Sequence, residues 1–352
     1  MLLSFLRRVD RARVVPVVAC LTDGPFVREV GLTGTRVLHV HAGRLRHPWS
    51  WAGAVGRIAT VARHAHVVLS WQVKGHYYGT PAARLARVPC AWWDHGIRPA
   101  RGEPRYAVDA RLPASIPADL VVCSSFAAAA RHVRARVIHP GISLEFYERV
   151  SRPNARARLG IPEGAPVVGI AGRLQPWKGQ HVFLRAASRV AASHRDARFV
   201  VIGGTPGGFS AAFPEHLSRL AADLGIADRV SFLGHRDDVP ALLPGLDVFV
   251  NASDAEPFGI VTVEAMAAGV PVVGTNSGGT PEIIDDGATG VLVPSRDDAA
   301  MAVAIERYLD DGSFAATIAA AGRARAFERF SEDRMTRDIE ALAEELAGGK
   351  QP

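Results

Sequence analysis

Short apolar runs alternate with longer amphipathic stretches along the whole sequence, and this pattern is the strongest constraint on its fold. In the second half, the runs that predict strands are 166–171, 198–202, 229–233, 247–251, 270–274 and 289–293. Helical spacing of apolar residues falls between them, near 180–193, 214–224, 259–268 and 297–310. Regular strand–helix alternation predicts a parallel sheet with helices on both faces. Two further predicted helices, near 314–327 and 331–347, have no strand after them.

The first half alternates in the same way, with predicted strands at 14–19, 36–40, 66–71, 90–93 and 120–123. The segment 137–154 contains two prolines and is typical of a domain linker. We therefore predict a first domain over 1–148, a second over 149–330, and a C-terminal helix and tail over 331–352 that pack back on the first domain. Two such domains in tandem form a cleft at the carboxyl ends of their strands, where ligands bind.

Composition excludes several classes of protein. The chain has 352 residues, 48% hydrophobic and 22% charged, which fits two buried cores and argues against disorder. No run approaches the ~20 apolar residues of a membrane span. Arg7 and Arg8 follow the first apolar run, the reverse of a signal peptide, so we expect a cytoplasmic protein. Three separated cysteines are expected to be buried free thiols (Cys20, Cys90 and Cys123).

The charge is unevenly distributed. Residues 1–148 carry a net +11 and residues 149–352 a net −5. This asymmetry favours contact between the first half and an anionic ligand or surface, although an arginine-rich composition alone would also produce it. No zinc-finger or RNA-recognition motif is present, so nucleic acid is not an expected partner.

The stretch GIAGRLQPWKG at 169–179 brings two cations, Arg173 and Lys178, into one loop between a predicted strand and a helix. Arginine offers a fork of donors, lysine a point charge and the helix start free backbone N–H groups. Together they suit a pyrophosphate leaving group, on which negative charge builds. The alternative is a pair of solvated surface cations.

Two carboxylates eight positions apart, Glu256 and Glu264, stand in NASDAEPFGIVTVEAMAAGVPV at 251–272. Glu256 precedes a predicted helix and Glu264 lies within it. A phosphate can approach closely at Gly259, because glycine has no side chain. A carboxylate can accept hydrogen bonds from the vicinal hydroxyls of a ribose or hexose. The alternative for Glu264, a surface charge, fits poorly with the mostly apolar helix.

These motifs resemble glycosyltransferase family 4, whose E-x7-E signature corresponds to Glu256 and Glu264. The resemblance runs from about 167 to 294 and includes GRLQPWKG, EPFGIVTVEAMAAGVPVV and SGGTPEII. It implies an α/β protein of the GT-B type, with two Rossmann-like, doubly wound parallel-sheet domains facing a cleft. It also implies retention of anomeric configuration, a nucleotide diphosphate sugar as co-substrate, and neither a metal ion nor another cofactor.

By the same resemblance, Arg173 and Lys178 bind the donor phosphates, Glu256 contacts the transferred sugar and Glu264 holds the ribose. The backbone amides of Gly259 and Ile260 face the phosphate or sugar, and the loop from Gly234 to Arg236 lies near the nucleobase. Other residues expected on the donor side are Phe258, Gly203 and Gly204.

In the first domain, the matching motif is WWDHG at 92–96. The resemblance implies that His95 touches the donor sugar, and the alternative is a structural histidine. Arg98, Arg101 and Arg105 follow His95 and are candidates for binding a phosphate of a lipid-linked acceptor or an anionic membrane at its inner face.

One departure concerns the start of the sequence. Family members open with a strand and a glycine-rich loop, whereas residues 1–13 here resemble the helix that follows and 16–25 the second strand and turn. We therefore expect the first domain to lack its opening strand. A missing central strand would expose apolar surface and unpaired backbone.

The expected reaction moves a hexose-type sugar from a nucleotide diphosphate sugar to a hydroxyl of a glycan, a lipid-linked sugar or a small molecule, as in cell-envelope or polysaccharide biosynthesis. Without a clear carboxylate nucleophile, front-face attack fits better than double displacement. One alternative is a catalytically impaired relative that binds nucleotide as a partner subunit. Another is a GT-B-fold sugar epimerase. No G-x-G-x-x-G motif supports an NAD-dependent enzyme.

Overall fold

The computed structural model describes residues 1–42, 48–96, 116–162, 164–205 and 212–348. These residues form two compact units. The N unit comprises the described residues of 1–141 together with 332–348, and the C unit comprises those of 142–331.

All paired strands run parallel. They are β1 Val17–Cys20, β2 Arg36–His39, β3 Val68–Trp71, β4 Cys90–Asp94, β5 Leu120–Cys123, β6 Ala135–Val137, β7 Val167–Ala171, β8 Arg198–Ile202, β9 Val230–Gly234, β10 Val248–Asn251, β11 Val272–Thr275 and β12 Val291–Val293.

The helices of the described chain alternate with these strands. They are α1 Leu2–Arg8, α2 Pro25–Leu32, α3 Pro48–Ala62, α4 Gln72–Ala86, α5 Phe126–Ala129, α6 Leu144–Tyr147, α7 Arg152–Leu159, α8 Gln180–Ser193, α9 Ala212–Asp223, α10 Val239–Leu242, α11 Ile260–Ala267, α12 Thr280–Ile283, α13 Asp298–Asp310, α14 Gly312–Arg329 and α15 Glu332–Gly348. Short 3-10 turns occur at Pro176–Lys178, Ala227–Arg229 and Leu243–Gly245.

The C unit is built on one six-stranded sheet in the order β12-β11-β10-β7-β8-β9. Successive residues of its strands face opposite sides, so both faces must be covered if both are apolar. Val168 and Val250 enter one hydrophobic cluster with α8 and α13, whereas Val167 and Phe249 enter a second cluster with α11. Helices therefore cover both faces, which confirms the predicted doubly wound sheet.

The N unit contains two parallel sheets, β1-β2 and β3-β4-β5-β6. Val18 and Leu69, one from each sheet, pack in the same hydrophobic cluster. In the described part of the chain, however, β1 pairs only with β2, and β3 pairs on one side only, with β4. Each of these two strands thus has an edge without a hydrogen-bonded neighbour strand. Val17 of β1 is 42% exposed, although its neighbour Val18 packs against the hydrophobic cluster of the N unit.

Both ends of the described chain meet in the N unit. Phe5 of α1 packs in one hydrophobic cluster with Met335 and Ile339 of α15. At the rim of this contact, Arg8 Nε donates to Glu332 Oε2 over 2.8 Å. The apolar face of α15 is therefore part of the N-unit core, although α15 follows the whole C unit in sequence.

Strand and helix bounds agree with the sequence predictions to within a few residues. The predictions gave no bounds for the helices between the strands of the first half, α2 to α5. They also omitted β6, because 135–137 shows no clear apolar alternation. Cys20, Cys90 and Cys123 are free and buried, as predicted. Among the described residues, no helix is long and apolar enough to cross a membrane.

Candidate active site

The candidate site lies in loops at the carboxyl ends of β7 and β10. These strands are neighbours at the centre of the C-unit sheet. From β7 the chain proceeds through β8 and β9 to one edge, and from β10 through β11 and β12 to the other. Loops on opposite sides of such a switch point diverge and leave a crevice, which is where open parallel sheets bind ligands.

The loop after β7 is locked against the loop after β10. The Pro176–Lys178 turn places the Trp177 carbonyl where it accepts a hydrogen bond from the Asp254 backbone N–H, over 2.8 Å. Gly179 has a φ of +72° and is the N-cap residue that precedes α8. A Cβ atom at Gly179 would lie 2.0 Å from the Ala252 carbonyl oxygen. The loops can approach this closely only because residue 179 has no side chain.

Lys178 and Glu256 form a partly buried ion pair, with Lys178 Nζ 2.6 Å from Glu256 Oε2. Ser253 Oγ donates to the same carboxylate oxygen over 2.7 Å. The other oxygen, Oε1, accepts no hydrogen bond from any described residue. Lys178 Nζ also lies 4.5 Å from the centre of the Trp177 ring. Glu256 is therefore fixed by two donors and still has one oxygen available to a ligand.

The backbone of Glu256 is held by the glycine loop after β11. The Gly279 N–H donates to the Glu256 carbonyl over 2.7 Å. A Cβ atom on Gly278 would lie 2.3 Å from that carbonyl oxygen. On the other side, Asn251 Nδ2 donates to Thr262 Oγ1 over 2.9 Å and ties the end of β10 to α11. The Glu256 loop is thus positioned from three directions.

The start of α11 offers backbone donors. Gly259 and Ile260 make no N–H hydrogen bond to any described residue, as expected for the first positions of a helix. The Phe258 ring is buried and meets Phe330 edge-on, with centroids 5.6 Å apart. Phe258 therefore anchors the turn in the core, while the two N–H groups that follow can bind an anion.

Glu264 lies one turn further along α11, and its side chain is half-buried. Burial raises the pKa of Glu264 to about 7. No described lysine or arginine forms an ion pair with Glu264. Unlike Glu256, this carboxylate has no cationic partner among the described residues.

The carboxyl ends of β7, β8 and β9 and the loops after them carry the remaining residues that were predicted on the donor side. The Arg173 side chain is exposed and has no hydrogen-bond or ion-pair partner among the described residues. The Gly203 N–H donates to the Gly234 carbonyl over 2.8 Å, and Gly204 accepts from the Leu174 N–H over 3.0 Å, so these loops are adjacent. Arg236 instead binds Asp238, with Nε 2.7 Å from Oδ1. Its guanidinium is thus occupied by a neighbouring carboxylate.

His95 lies at the end of β4 in the N unit. Its ring stacks near Trp71 and Trp93, with centroids 6.1 and 6.2 Å away. Burial lowers its pKa to about 4, so the imidazole is neutral near pH 7. The neighbouring Asp94 is not available to a ligand, because it is buried against Arg131 and His132. Three further predictions, Arg98, Arg101 and Arg105, lie outside the described residues.

Sequence reasoning missed Ser253 and Tyr147. Ser253 stands three positions before Glu256, and its spacing within one loop was the only available signal. Strands β7 to β10 lie between Tyr147 and Glu264 in the sequence, so no local sequence pattern could connect the two residues. The position of Tyr147 relative to Glu264 depends on how α6 and α11 pack.

Solved structures share this architecture. The Anabaena protein Alr3699/HepE, crystallised in complex with UDP-glucose, superposes with a TM-score of 0.85 at 26% identity and covers 98% of this chain and 94% of its own. WaaG, a glycosyltransferase involved in lipopolysaccharide biosynthesis, has a TM-score of 0.73 at 17% identity and covers 97% of this chain and 94% of its own. Two Rossmann-like parallel domains of this kind define the GT-B class of fold, as predicted.

The family follows from the sequence comparisons. Residues 151–325 match the family model described as Glycosyl transferases group 1. The chain is 37% identical over 313 residues, 80% of its length, to a protein of Salinispora tropica named D-inositol 3-phosphate glycosyltransferase. It covers 64% of that relative's length. The chain belongs to the group 1 glycosyltransferases.

Proposed function

We propose that this chain is a retaining glycosyltransferase that moves a sugar from a nucleoside diphosphate sugar to an acceptor hydroxyl. The observation that carries the proposal is the arrangement around α11. A cation-paired carboxylate (Glu256), free backbone N–H groups (Gly259 and Ile260) and an unpaired carboxylate (Glu264) follow one another along a single loop and helix. This order suits the sugar, phosphates and ribose of one extended donor.

Lys178 pairs with Glu256 and would also stabilise the leaving phosphate in the proposed reaction. Without ligand, its charge neutralises Glu256. A donor diphosphate beside Lys178 would share that charge, and the N–H groups at the start of α11 would add to it. As the bond between sugar and phosphate breaks, negative charge grows on the leaving group, and preorganised positive charge stabilises it. Glu256, still held by Ser253, would accept hydrogen bonds from sugar hydroxyls through Oε1.

Retention by front-face attack is part of this proposal. The leaving phosphate would take the proton from the acceptor hydroxyl on the same face of the sugar. His95, with its pKa lowered to about 4, would be a neutral hydrogen-bonding group rather than a cation. Its contact with the transferred sugar stays a prediction.

The relatives suggest a first donor to test. Alr3699/HepE was crystallised with UDP-glucose, and the Salinispora relative is named for an inositol phosphate acceptor. We therefore propose a uridine diphosphate hexose as donor and a polyhydroxylated acceptor. A nucleotide-binding partner subunit and a GT-B-fold epimerase remain the alternatives.

A thermal-shift screen followed by product analysis tests the function. We expect UDP or UDP-glucose to raise the unfolding temperature more than ADP or GDP, because a ligand at 100 times its Kd stabilises by about 2.7 kcal/mol. Incubation with UDP-glucose and polyol acceptors should then yield UDP and a glycoside that keeps the anomeric configuration. Binding without transfer to any acceptor would favour the partner subunit, and interconversion of nucleotide sugars would favour the epimerase. If no nucleotide binds, the proposal is wrong.

We further propose contact with an anionic membrane surface, because residues 1–148 carry a net charge of +11. Sedimentation with vesicles of phosphatidylglycerol should then remove more protein from solution than sedimentation with phosphatidylcholine, and about 0.5 M salt should abolish the difference. Equal sedimentation with both lipids would refute this contact.

A further inference from the structure

A buried cluster of polar side chains lies beside His95 in the N unit. At its centre is Asp94, the last residue of β4, whose side chain is 2% exposed. Arg131 Nη2 donates to Asp94 Oδ2, and His132 Nε2 lies 2.9 Å from the same oxygen. Burial opposes ionisation of Asp94, but its hydrogen bonds and the charge of Arg131 lower its pKa below the usual value. Asp94 is therefore a buried charge that depends on its partners.

The other oxygen of Asp94 fixes the backbone around His95. Asp94 Oδ1 accepts a hydrogen bond from the Gly96 N–H over 3.0 Å. A carboxylate that accepts from the N–H group two residues later forms an Asx turn, which takes the place of a backbone turn. His95 is the central residue of this turn. The direction in which its side chain leaves the backbone therefore depends on the Asp94 carboxylate.

Arg131 also packs directly on this turn. A Cβ atom on Gly96 would lie 3.0 Å from Arg131 Nη2 and 3.3 Å from Asp94 Oδ1. The guanidinium thus lies against the Gly96 backbone and leaves little room for a side chain there. Arg131 comes just after α5, which follows β5, and Cys123 of β5 is the parallel partner of Asp94. The pairing of β4 with β5 therefore brings Arg131 to the end of β4.

The His95 ring packs against aromatic rings, whereas its nitrogens have no partner. Its planes lie at 27° and 23° to those of Trp71 and Trp93, with centroids 6.1 and 6.2 Å apart. Neither ring nitrogen forms a hydrogen bond to another described residue. The Asp94 carboxylate thus acts on the backbone of His95 and not on its ring. In the described part of the chain, the turn and the aromatic contacts orient this ring.

We propose that Asp94 and Arg131 are positioning residues for sugar transfer: Arg131 neutralises Asp94, and Asp94 holds the turn that aims the His95 ring at the transferred sugar. The inference rests on the proposed function, since His95 meets a sugar only in that proposal. Arg131 itself would touch neither donor nor acceptor, because its guanidinium is directed to Asp94 and its side chain is 18% exposed.

Two double variants separate the turn from the charges. In Arg131→Met, Asp94 stays buried without its cation, so the turn should be released. In Asp94→Asn/Arg131→Met, both charges are gone and the amide oxygen can still accept from the Gly96 N–H. In Asp94→Ala/Arg131→Met, that acceptor is absent. Because removing both charges together is often tolerated, the double variants carry the same comparison if Arg131→Met does not fold alone.

The kinetic test measures steady-state transfer with the donor that the binding screen identifies. We expect Arg131→Met to lower kcat by about 10- to 100-fold, because a misplacement of about 1 Å can cost about 100-fold. The Kd of the nucleoside diphosphate, which carries no sugar, should not change. Most of the loss in kcat should be recovered in Asp94→Asn/Arg131→Met but not in Asp94→Ala/Arg131→Met. In a His95→Ala background, Arg131→Met should lower kcat no further, because both changes remove the same interaction.

Arg134→Met is the matched control. Arg134 belongs to the same segment as Arg131, but its side chain is exposed and forms no ion pair with a described residue. Its replacement should leave kcat unchanged. If Arg131→Met lowered kcat equally with and without His95, Arg131 would act independently of His95, and the inference would be overturned. A kcat as low in Asp94→Asn/Arg131→Met as in Asp94→Ala/Arg131→Met would overturn it as well.

Nuclear magnetic resonance of the ligand-free protein separates this inference from the proposed function. In a protein with isotopically labelled histidine, the His95 signal is assigned by its loss in His95→Ala. The ring currents of Trp71 and Trp93 should displace this signal from that of an exposed histidine. Arg131→Met should move it towards the exposed value, whereas Arg134→Met should not. An unchanged signal in Arg131→Met would refute the positioning role. If the signal moves but no sugar is transferred by the wild type, the proposed function fails and the positioning of His95 stands.

Discussion

Lys178→Ala is expected to lower kcat by about 100- to 1,000-fold, the loss seen when one preorganised charge or donor is removed from a developing anion. Lys178 is the one lysine of the described C unit, and its Nζ lies 2.6 Å from Glu256. Its removal takes the cation from the proposed leaving phosphate. It also leaves Glu256 buried with Ser253 as its remaining hydrogen-bond donor.

The measurement is steady-state transfer with the donor identified by the binding screen. Lys74→Ala is the control, because Lys74 is an exposed lysine of α4 in the N unit. It should leave kcat unchanged. A normal kcat in Lys178→Ala, with only KM raised, would mean that Lys178 binds the donor equally in the ground and transition states and does not stabilise the leaving group.

Gly179→Ala is expected to destabilise the C unit by about 2–5 kcal/mol. The left-handed backbone contributes about 1–2 kcal/mol for a residue with a Cβ atom. Overpacking adds about 1–3 kcal/mol, because the new Cβ would lie 2.0 Å from the Ala252 carbonyl oxygen. The clash is with backbone, so one of the two site loops must move. Donor binding should therefore be lost together with stability.

Gly287→Ala provides a control for the backbone contribution. Gly287 has a φ of +71°, almost the same as the +72° of Gly179, but a Cβ atom there would meet nothing within 4 Å. Its cost should be about 1–2 kcal/mol. Urea unfolding of both variants gives the comparison. Equal destabilisation by the two variants would mean that the close contact between Gly179 and Ala252 adds nothing to the cost of Gly179→Ala.

The sequence predicted most of the C-unit sheet, because buried parallel strands are continuous apolar runs between amphipathic helices. Arg198–Ile202 and Gln180–Ser193 have the predicted bounds. The N unit was harder to predict, since β6 has only three residues and no apolar alternation. The division of the N-unit strands into two sheets depends on tertiary contacts, which the periodicity of the sequence does not encode.

The candidate site was predictable where it is local in sequence. Glu256, Gly259 and Glu264 lie on one loop and helix, so their spacing indicated their arrangement. The Lys178–Glu256 pair was not predicted as a contact, because it depends on β7 and β10 being neighbours. The Arg236–Asp238 pair was also unexpected, because a side chain two positions away competed for the predicted ligand-binding guanidinium.

The meeting of both chain ends in the N unit has a consequence for the order of folding. The C unit is a continuous segment, so all its contacts are available once residue 331 has been synthesised. In the N unit, the Arg8–Glu332 bond joins residues 324 positions apart. Closing so long a loop is slow unless the intervening chain has already become compact. During synthesis, the C unit should therefore fold first, and the N-unit core should be completed only after α15 has left the ribosome.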